Sequence, residues 1–209
     1  MSHYELITPV NLTEDAAETN YRRGIRNMVR GLWSGALDIN QAWEMGHTTI
    51  RFGLTQAWNA GLKSVGVLPS EQTPQERIEL TQIITREQAL LFPFLEDIEK
   101  GSKANKGKLG PQFKRGEMWA NRAGDVESRA RLSVRTDPKL EWAIDITKAN
   151  CSTCLKLDKK VKRKSTWVRL NIHPRQPDNP NLVCRGWLCG CTLLPTTKPL
   201  SRGRLPNVP

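Results

Sequence analysis

Cys151-Ser152-Thr153-Cys154 and Cys184-Arg185-Gly186-Trp187-Leu188-Cys189-Gly190-Cys191 contain all five cysteines of this 209-residue chain, and their spacing decides how its last third is built. A thiolate pair two residues apart, answered by a second close cluster, lets a short knuckle and a returning loop set four soft ligands tetrahedrally around one zinc ion. Disulfides and simple buried thiols are the competing readings. Against bridges stand an odd cysteine count, a first stretch without a secretory signal pattern, and a Cys-x-Cys spacing too tight for an easy intrachain bond. The expectation is one structural Zn²⁺, held by four of Cys151, Cys154, Cys184, Cys189 and Cys191.

The charge is segregated around the same residues. Between positions 156 and 204 the chain carries twelve Lys or Arg against only Asp158 and Asp178, so this segment holds nearly all of the net +11. Four thiolates and one Zn²⁺ sum to −2, and neighbouring cations stabilise that charge, which accounts for part of the excess. The surplus in Lys156, Lys159, Lys160, Lys162, Arg163 and Lys164 reads either as a solvated face or as a surface for a polyanion or an acidic protein partner.

Upstream, hydrophobic residues recur at helical spacing. Thr13 is a natural N-cap, and Tyr21, Ile25, Met28, Val29, Leu32 and Trp33 form one face before Ser34-Gly35 interrupts. A second helix is expected from Asp38, with Ala42, Trp43, Gly46, Ile50, Gly53, Leu54, Ala57, Trp58 and Gly61 on one stripe; the repeated glycines predict a close helix neighbour. Thr73-Pro74-Gln75-Glu76 is a capped start, and a third helix runs from it with a kink at Pro93 and an end at Gly101. Residues 101–110, rich in Lys and Gly, read as a mobile connection, and a fourth helix is expected from about Gln112 to Leu132. After Asp137-Pro138, Leu140, Trp142 and Ile144 alternate with polar or small residues as a strand does. Beyond the knuckle, repeated prolines forbid long regular elements, and a metal would substitute for the missing core.

The fold class is therefore mainly α: a helical body over 1–135, a small α+β zinc-stabilised module over 136–195 and an extended basic tail over 196–209. No apolar stretch approaches the roughly 20 residues that span a bilayer, and we expect a soluble protein made in a reducing cytoplasm, with no membrane partner.

This arrangement resembles the phage head morphogenesis family, the minor head proteins similar to the F protein of phage Mu. The resemblance rests on the helical body, Leu140-Glu141-Trp142, Cys151-Ser-Thr-Cys154-Leu-Lys-Leu-Asp158 and the Cys184 to Cys191 stretch, over roughly residues 20–195. Cys151 and Cys154 match the family's opening knuckle, Cys189-Gly190-Cys191 its terminal Cys-x-Cys, and Cys184 its upstream His or Cys. His173-Pro174 precedes Cys184 and offers a spare ligand. Asp158-Lys159 stands where many members have a small residue and glycine. The resemblance implies a structural component of the virion, assembled in the host cytoplasm and acting near the portal or major capsid protein during assembly or DNA delivery, without catalysis.

Enzymatic function finds little support in the residues themselves. The histidines at 3, 47 and 173 lie in no nucleophile, zinc-protease or phosphate-loop setting, and five cysteines suffice to close a metal's four positions. The alternative reading is a zinc-containing nucleic-acid-binding protein, in which Trp167 or Trp187 stacks on bases. Packing over the metal is the competing role for both, and we prefer it for Trp187.

Overall fold

The computed structural model describes residues 14–187 and 189–205. The expected Thr13 cap and the last four residues of the tail lie outside them. Two long helices, α1 (Glu14–Ser34) and α2 (Ile39–Ser64), form an α-hairpin whose turn uses Gly35 at φ +80°. Asp38 starts α2 with a reciprocal cap: its carboxylate accepts the Gln41 N–H at 2.8 Å and the Gln41 side chain accepts the Asp38 N–H at 3.0 Å. Tyr21, Ile25, Met28, Val29 and Leu32 of α1 are all buried against it.

The α2 glycines mark where other parts of the chain press closest. A Cβ on Gly46 would lie 2.5 Å from Met28 Sδ, and one on Gly53 would lie 2.2 Å from the Tyr21 ring. A Cβ on Gly61 would meet the Glu127 carbonyl oxygen at 2.3 Å. The first two admit α1; the third admits α6 (Arg122–Ser133), which crosses α2 further along the same stripe.

Two expected helices divide. The third becomes α3 (Pro74–Ala89) and α4 (Leu91–Lys100), joined at Leu90. Pro93 has no N–H for the Ala89 carbonyl and its ring crowds that oxygen, so the helical ladder is interrupted at Leu90, whose backbone stays αR. The break frees Leu91, Phe94, Leu95 and Ile98 to turn into the core. The fourth becomes α5 (Leu109–Ala120) and α6, separated at Asn121, whose side chain reaches the Gly186 carbonyl. Residues 101–107 form tight turns pinned to the body: Lys103 N–H donates to Trp33 O at 2.9 Å and Gly107 N–H to Ser102 O at 2.8 Å.

The remainder is built on a three-stranded antiparallel sheet with β1 (Lys139–Ala143) between β2 (Val161–Arg163) and β3 (Thr192–Pro195). Two short helices, α7 (Ser152–Leu157) and α8 (Lys164–Arg169), flank β2 in sequence. Leu140, Trp142, Leu157, Trp167, Ile172, Leu182 and Leu193 make its buried cluster together with Cys154, Cys189 and Cys191. Helix α6 joins this layer to the body: Ala123, Val126 and Ala130 face the helical core, while Arg131, fully buried, donates to Ser64 Oγ at 2.8 Å and Thr192 Oγ1 at 3.1 Å and pairs with Glu127.

The tail does not extend freely over its described part. Thr196 N–H bonds Lys139 O and Ser201 N–H bonds Val161 O, so residues 196–203 cover the outer edge of β2 after crossing the end of β1. An open strand edge is a template for association, and the chain covers this one itself.

Gly61→Ala tests the close crossing. Alanine is worth about 1 kcal/mol of helix propensity over glycine, but the new methyl meets a backbone oxygen that cannot rotate away. The expected result in urea unfolding is a net loss of about 2 kcal/mol.

Candidate metal centre

The centre is assembled from three places. The turn after β1 delivers Cys151 as the N-cap of α7, where its sulfur accepts the Cys154 N–H at 3.4 Å. Cys154 is one turn on, pointing inward. The irregular stretch before β3 brings Cys184, Cys189 and Cys191. Gly186 permits that stretch with φ +74° and a Cβ-sized space already taken by Gln176 O at 2.0 Å. Gly190 likewise lies against Asp145, whose Cβ would be 2.5 Å from an added methyl.

The five thiols are all free, and they form two triads, Cys151 with Cys154 and Cys184, and Cys154 with Cys189 and Cys191, with the sulfurs of each triad within 4.8 Å of one another. Cys154 is the shared member. Its sulfur is 3.9 Å from that of Cys189, close to the roughly 3.8 Å separation that tetrahedral metal–sulfur bonds of about 2.3 Å impose. A cluster of these donors could hold a metal ion, and its all-sulfur composition suits a soft or borderline one.

Electrostatics within the cluster are strongly coupled. Contacts from Cys154, Cys184 and Cys191 hold Cys189 far below the ordinary thiol range. Burial opposes ionisation of Cys151, but N–H groups of Cys154 and Cys184 outweigh it and lower its pKa. Cys154 is pushed well up by its contacts with Cys184, Cys189 and Cys191. Contact with Cys154 lowers Cys184 and Cys191, yet proximity to Cys189 and burial push both up to about 12. A bound cation would add its own charge to this balance and favour deprotonation of its ligands.

Arg175 supports the site from behind. It is 8% exposed, donates from Nε to Cys191 O and from Nη2 to Gly190 O, and pairs through Nη1 with Glu18 of α1 at 2.6 Å. Gly124 makes room for it, since a Cβ there would lie 2.0 Å from Arg175 Nη1. No motif advertises Arg175, because its partners are long-range backbone carbonyls and a carboxylate 157 positions away.

Other sequence candidates go elsewhere. His173 joins neither triad; it sits by Arg129, its Nε2 is buried without a partner, and burial lowers its pKa to about 4. Trp167, fully buried, donates to Leu140 O at 3.3 Å and packs on Trp142 with ring centroids 5.7 Å apart. Trp187, preferred as the cover of the metal, is instead 37% exposed and donates to Asp178 at 3.2 Å. It lines an opening shared with Arg22, Lys114 and Lys148. The adjacency of Trp187 to Cys189 misled because Gly186 turns the chain, and with it the indole, outward.

The basic run also divides. Lys162 Nζ donates to Ser201 O and Gly203 O at 2.7 Å each, Lys164 Nζ to Val134 O at 2.7 Å, and Arg163 Nη1 to Asp137 O at 2.9 Å. These three fasten the module to its own tail and linker. Lys156 and Lys159 are exposed and Lys160 half-buried, with no ion pair among the described residues. The turn after α7 is tight even without glycine, because Lys159 itself takes φ +60° and its N–H bonds Trp142 O at 2.8 Å.

Among the described residues no helix is long and apolar enough to cross a membrane. In comparisons with known proteins, no family model, no curated protein and no solved structure matches this chain.

Two outcomes follow from this geometry. Lys159→Gly relieves a left-handed residue and is expected to raise stability by about 0.5–1 kcal/mol, measured by denaturant unfolding of the metal-loaded protein. His173 is kept neutral in the fold at pH values where the unfolded imidazole, with an ordinary value of 6.5, becomes charged. Its contribution is therefore complete above pH 6.5 and falls away as pH drops toward 4. Stability curves of the parent protein and His173→Leu should converge or cross over that window, with a relative change of up to about 3 kcal/mol.

Proposed function

We propose that this chain is a phage minor head protein of the head morphogenesis type, a non-catalytic virion component stabilised by one structural Zn²⁺ and docking near the portal or on the major capsid protein. The observation that carries the proposal is the enclosed all-cysteine donor set around Cys154, whose two contributing stretches are also the ones that resemble that family. Zinc is the divalent ion that such a thiolate set holds most commonly without redox chemistry. No histidine or carboxylate belongs to either triad, so no donor is placed as a general base beside an open position.

A second reading, a zinc-containing nucleic-acid-binding protein, is favoured by Lys156, Lys159 and Lys160 and by the exposed Trp187 beside Lys114 and Lys148. In the first reading the same cations are a minor contact to packaged DNA.

Elemental analysis of protein purified without chelator should find about one zinc per chain, and co-expression with portal and major capsid proteins should give co-sedimentation with one of them. Replacing Lys156, Lys159 and Lys160 by Gln should leave that co-sedimentation intact while weakening salt-sensitive DNA retention. Failure to sediment with either partner, together with retention on single-stranded nucleic acid that Trp187→Ala abolishes, moves the function to the second reading.

A further inference from the structure

We infer that the seam between α1 and α5, from Trp187 to Phe113, is a binding groove for one strand of nucleic acid, with Trp187 as its stacking platform and Arg26, Arg30, Lys114 and Lys148 on its phosphates. This inference rests on the nucleic-acid contact considered above and gives it a site on the helical body, away from the knuckle.

A glycine brings the two helices together. A Cβ on Gly116 would lie 3.3 Å from Val29 Cγ2 and 3.6 Å from Ile25 Cγ2, so α5 lies tightly along α1. Phe113 and Glu117, one turn apart on α5, meet α1 in reverse order. The Arg30 guanidinium sits 5.5 Å from the Phe113 ring centroid, while Glu117 pairs with Arg26 at 2.5 Å and also with Arg22. Recurring every four residues, Arg22, Arg26 and Arg30 share one face of α1 and span about 12 Å. At the Arg22 end the seam opens into a hollow of about 450 Å³, which Lys114, Lys148 and Trp187 also line. Glu117 is the one carboxylate lining it among the described residues.

Charge and ring chemistry choose the occupant. Glu117 is shared by two guanidinium groups, and Lys148 is only loosely paired, 3.8 Å from Asp145. Arg30 and Lys114 are exposed and have no acidic partner among the described residues. The helical body is close to neutral as a whole, so this excess comes from placement and not from composition. Trp187, 37% exposed, commits its N–H to Asp178 at 3.2 Å, and what it has left to offer is the ring. Arg30 laid over Phe113 makes a second flat surface at the far end. Rings and guanidinium planes stack on unpaired bases of any sequence, whereas an acidic peptide brings carboxylates without a regular series of π-faces. Trp187 also lines a larger crevice of about 550 Å³, but its charges are balanced: Arg86, Arg115 and Arg122 face Glu87, Asp97 and Asp178. Two of those pairs, Arg122 with Glu87 and Arg115 with Asp97, are already made. The strand therefore takes the seam.

The test uses the full chain as purified and a labelled oligo-dT strand of about 15 nucleotides, with a duplex of equal length and polyglutamate as comparators. Trp187→Ala should weaken strand binding by about tenfold or more, and Trp187→Phe should recover most of it. Arg30→Gln combined with Lys114→Gln, both at exposed positions, should lower the slope of log affinity against log salt by about 1.4 on the strand. Losses on the duplex should be smaller in each case. If the strand binds but these variants match the parent, while replacing Lys156, Lys159 and Lys160 by Gln releases it, the seam assignment is overturned and the nucleic-acid reading stands. Equal losses on strand and duplex, with Trp187→Ala silent, overturn the strand assignment as well. A parent that retains polyglutamate and neither nucleic acid overturns the nucleic-acid reading together with the inference, and gives the seam to an acidic protein partner.

Discussion

Five sulfurs gathered around Cys154 are the constraint to which the rest of the C-terminal layer conforms. Thiols offer one another only weak hydrogen bonds, so a cation among them would add what those bonds lack. A three-stranded sheet of five, three and four residues is small, and the layer's buried cluster also draws on Leu157, Trp167, Ile172 and Leu182 from outside its strands. The sulfur cluster lies within that core, bringing together two stretches some 30 residues apart with irregular chain between them.

That irregularity has its own signature. Lys159, Asn171, Arg175, Asp178 and Arg185 all have positive φ, in a layer where only Gly186 and Gly203 relieve the same demand with glycine. Left-handed conformations of this kind cost about 1–2 kcal/mol each for ordinary residues. They persist where surrounding bonds determine the path more strongly than the local preference does. Arg175 illustrates the compensation: its strained backbone places a guanidinium on two carbonyls of the Cys189–Cys191 turn and on Glu18 of α1. Arg131 does the same from the helical side, reaching Thr192 on β3. Each is buried and costly to desolvate alone, and each is matched by several acceptors, so the two arginines join the layers in a defined position.

Much of this was legible in the sequence where the signal is local. The caps at Asp38 and Thr73, the α1 face, the glycine stripe of α2 and the knuckle are decided within a few residues, and the structure has each of them. The breaks at Leu90 and Asn121 were not legible as breaks. Pro93 announces a disturbance but not its form, and at Asn121, whose backbone stays αR with its N–H on Glu117 O, no residue announces the boundary. Trp187, expected to be covered, is exposed, while Trp167, for which no preference was drawn, is the buried one, since which indole is covered depends on a turn and a strand that only the tertiary fold brings together.

The charge excess shows most clearly why composition and surface are different quantities. A run such as Lys159 to Lys164 reads as one basic stripe only if its side chains share a solvent face. Here β2 and α8 alternate their directions, and Lys162, Arg163 and Lys164 end on carbonyl oxygens of residues 134, 137, 201 and 203. A backbone carbonyl is a weak competitor for an ammonium in water, yet a half-buried one that loses its solvent on folding needs a donor, and lysine reaches it with a flexible stem. The cations thereby carry out part of the work of a hydrophobic core, stitching tail, linker and sheet together. Within the run, Lys156, Lys159 and Lys160 at the knuckle's rim are the ones without such tethers, while the tethered three keep their charge and add to the positive field of the segment, as do the exposed Arg169, Arg185, Arg202 and Arg204.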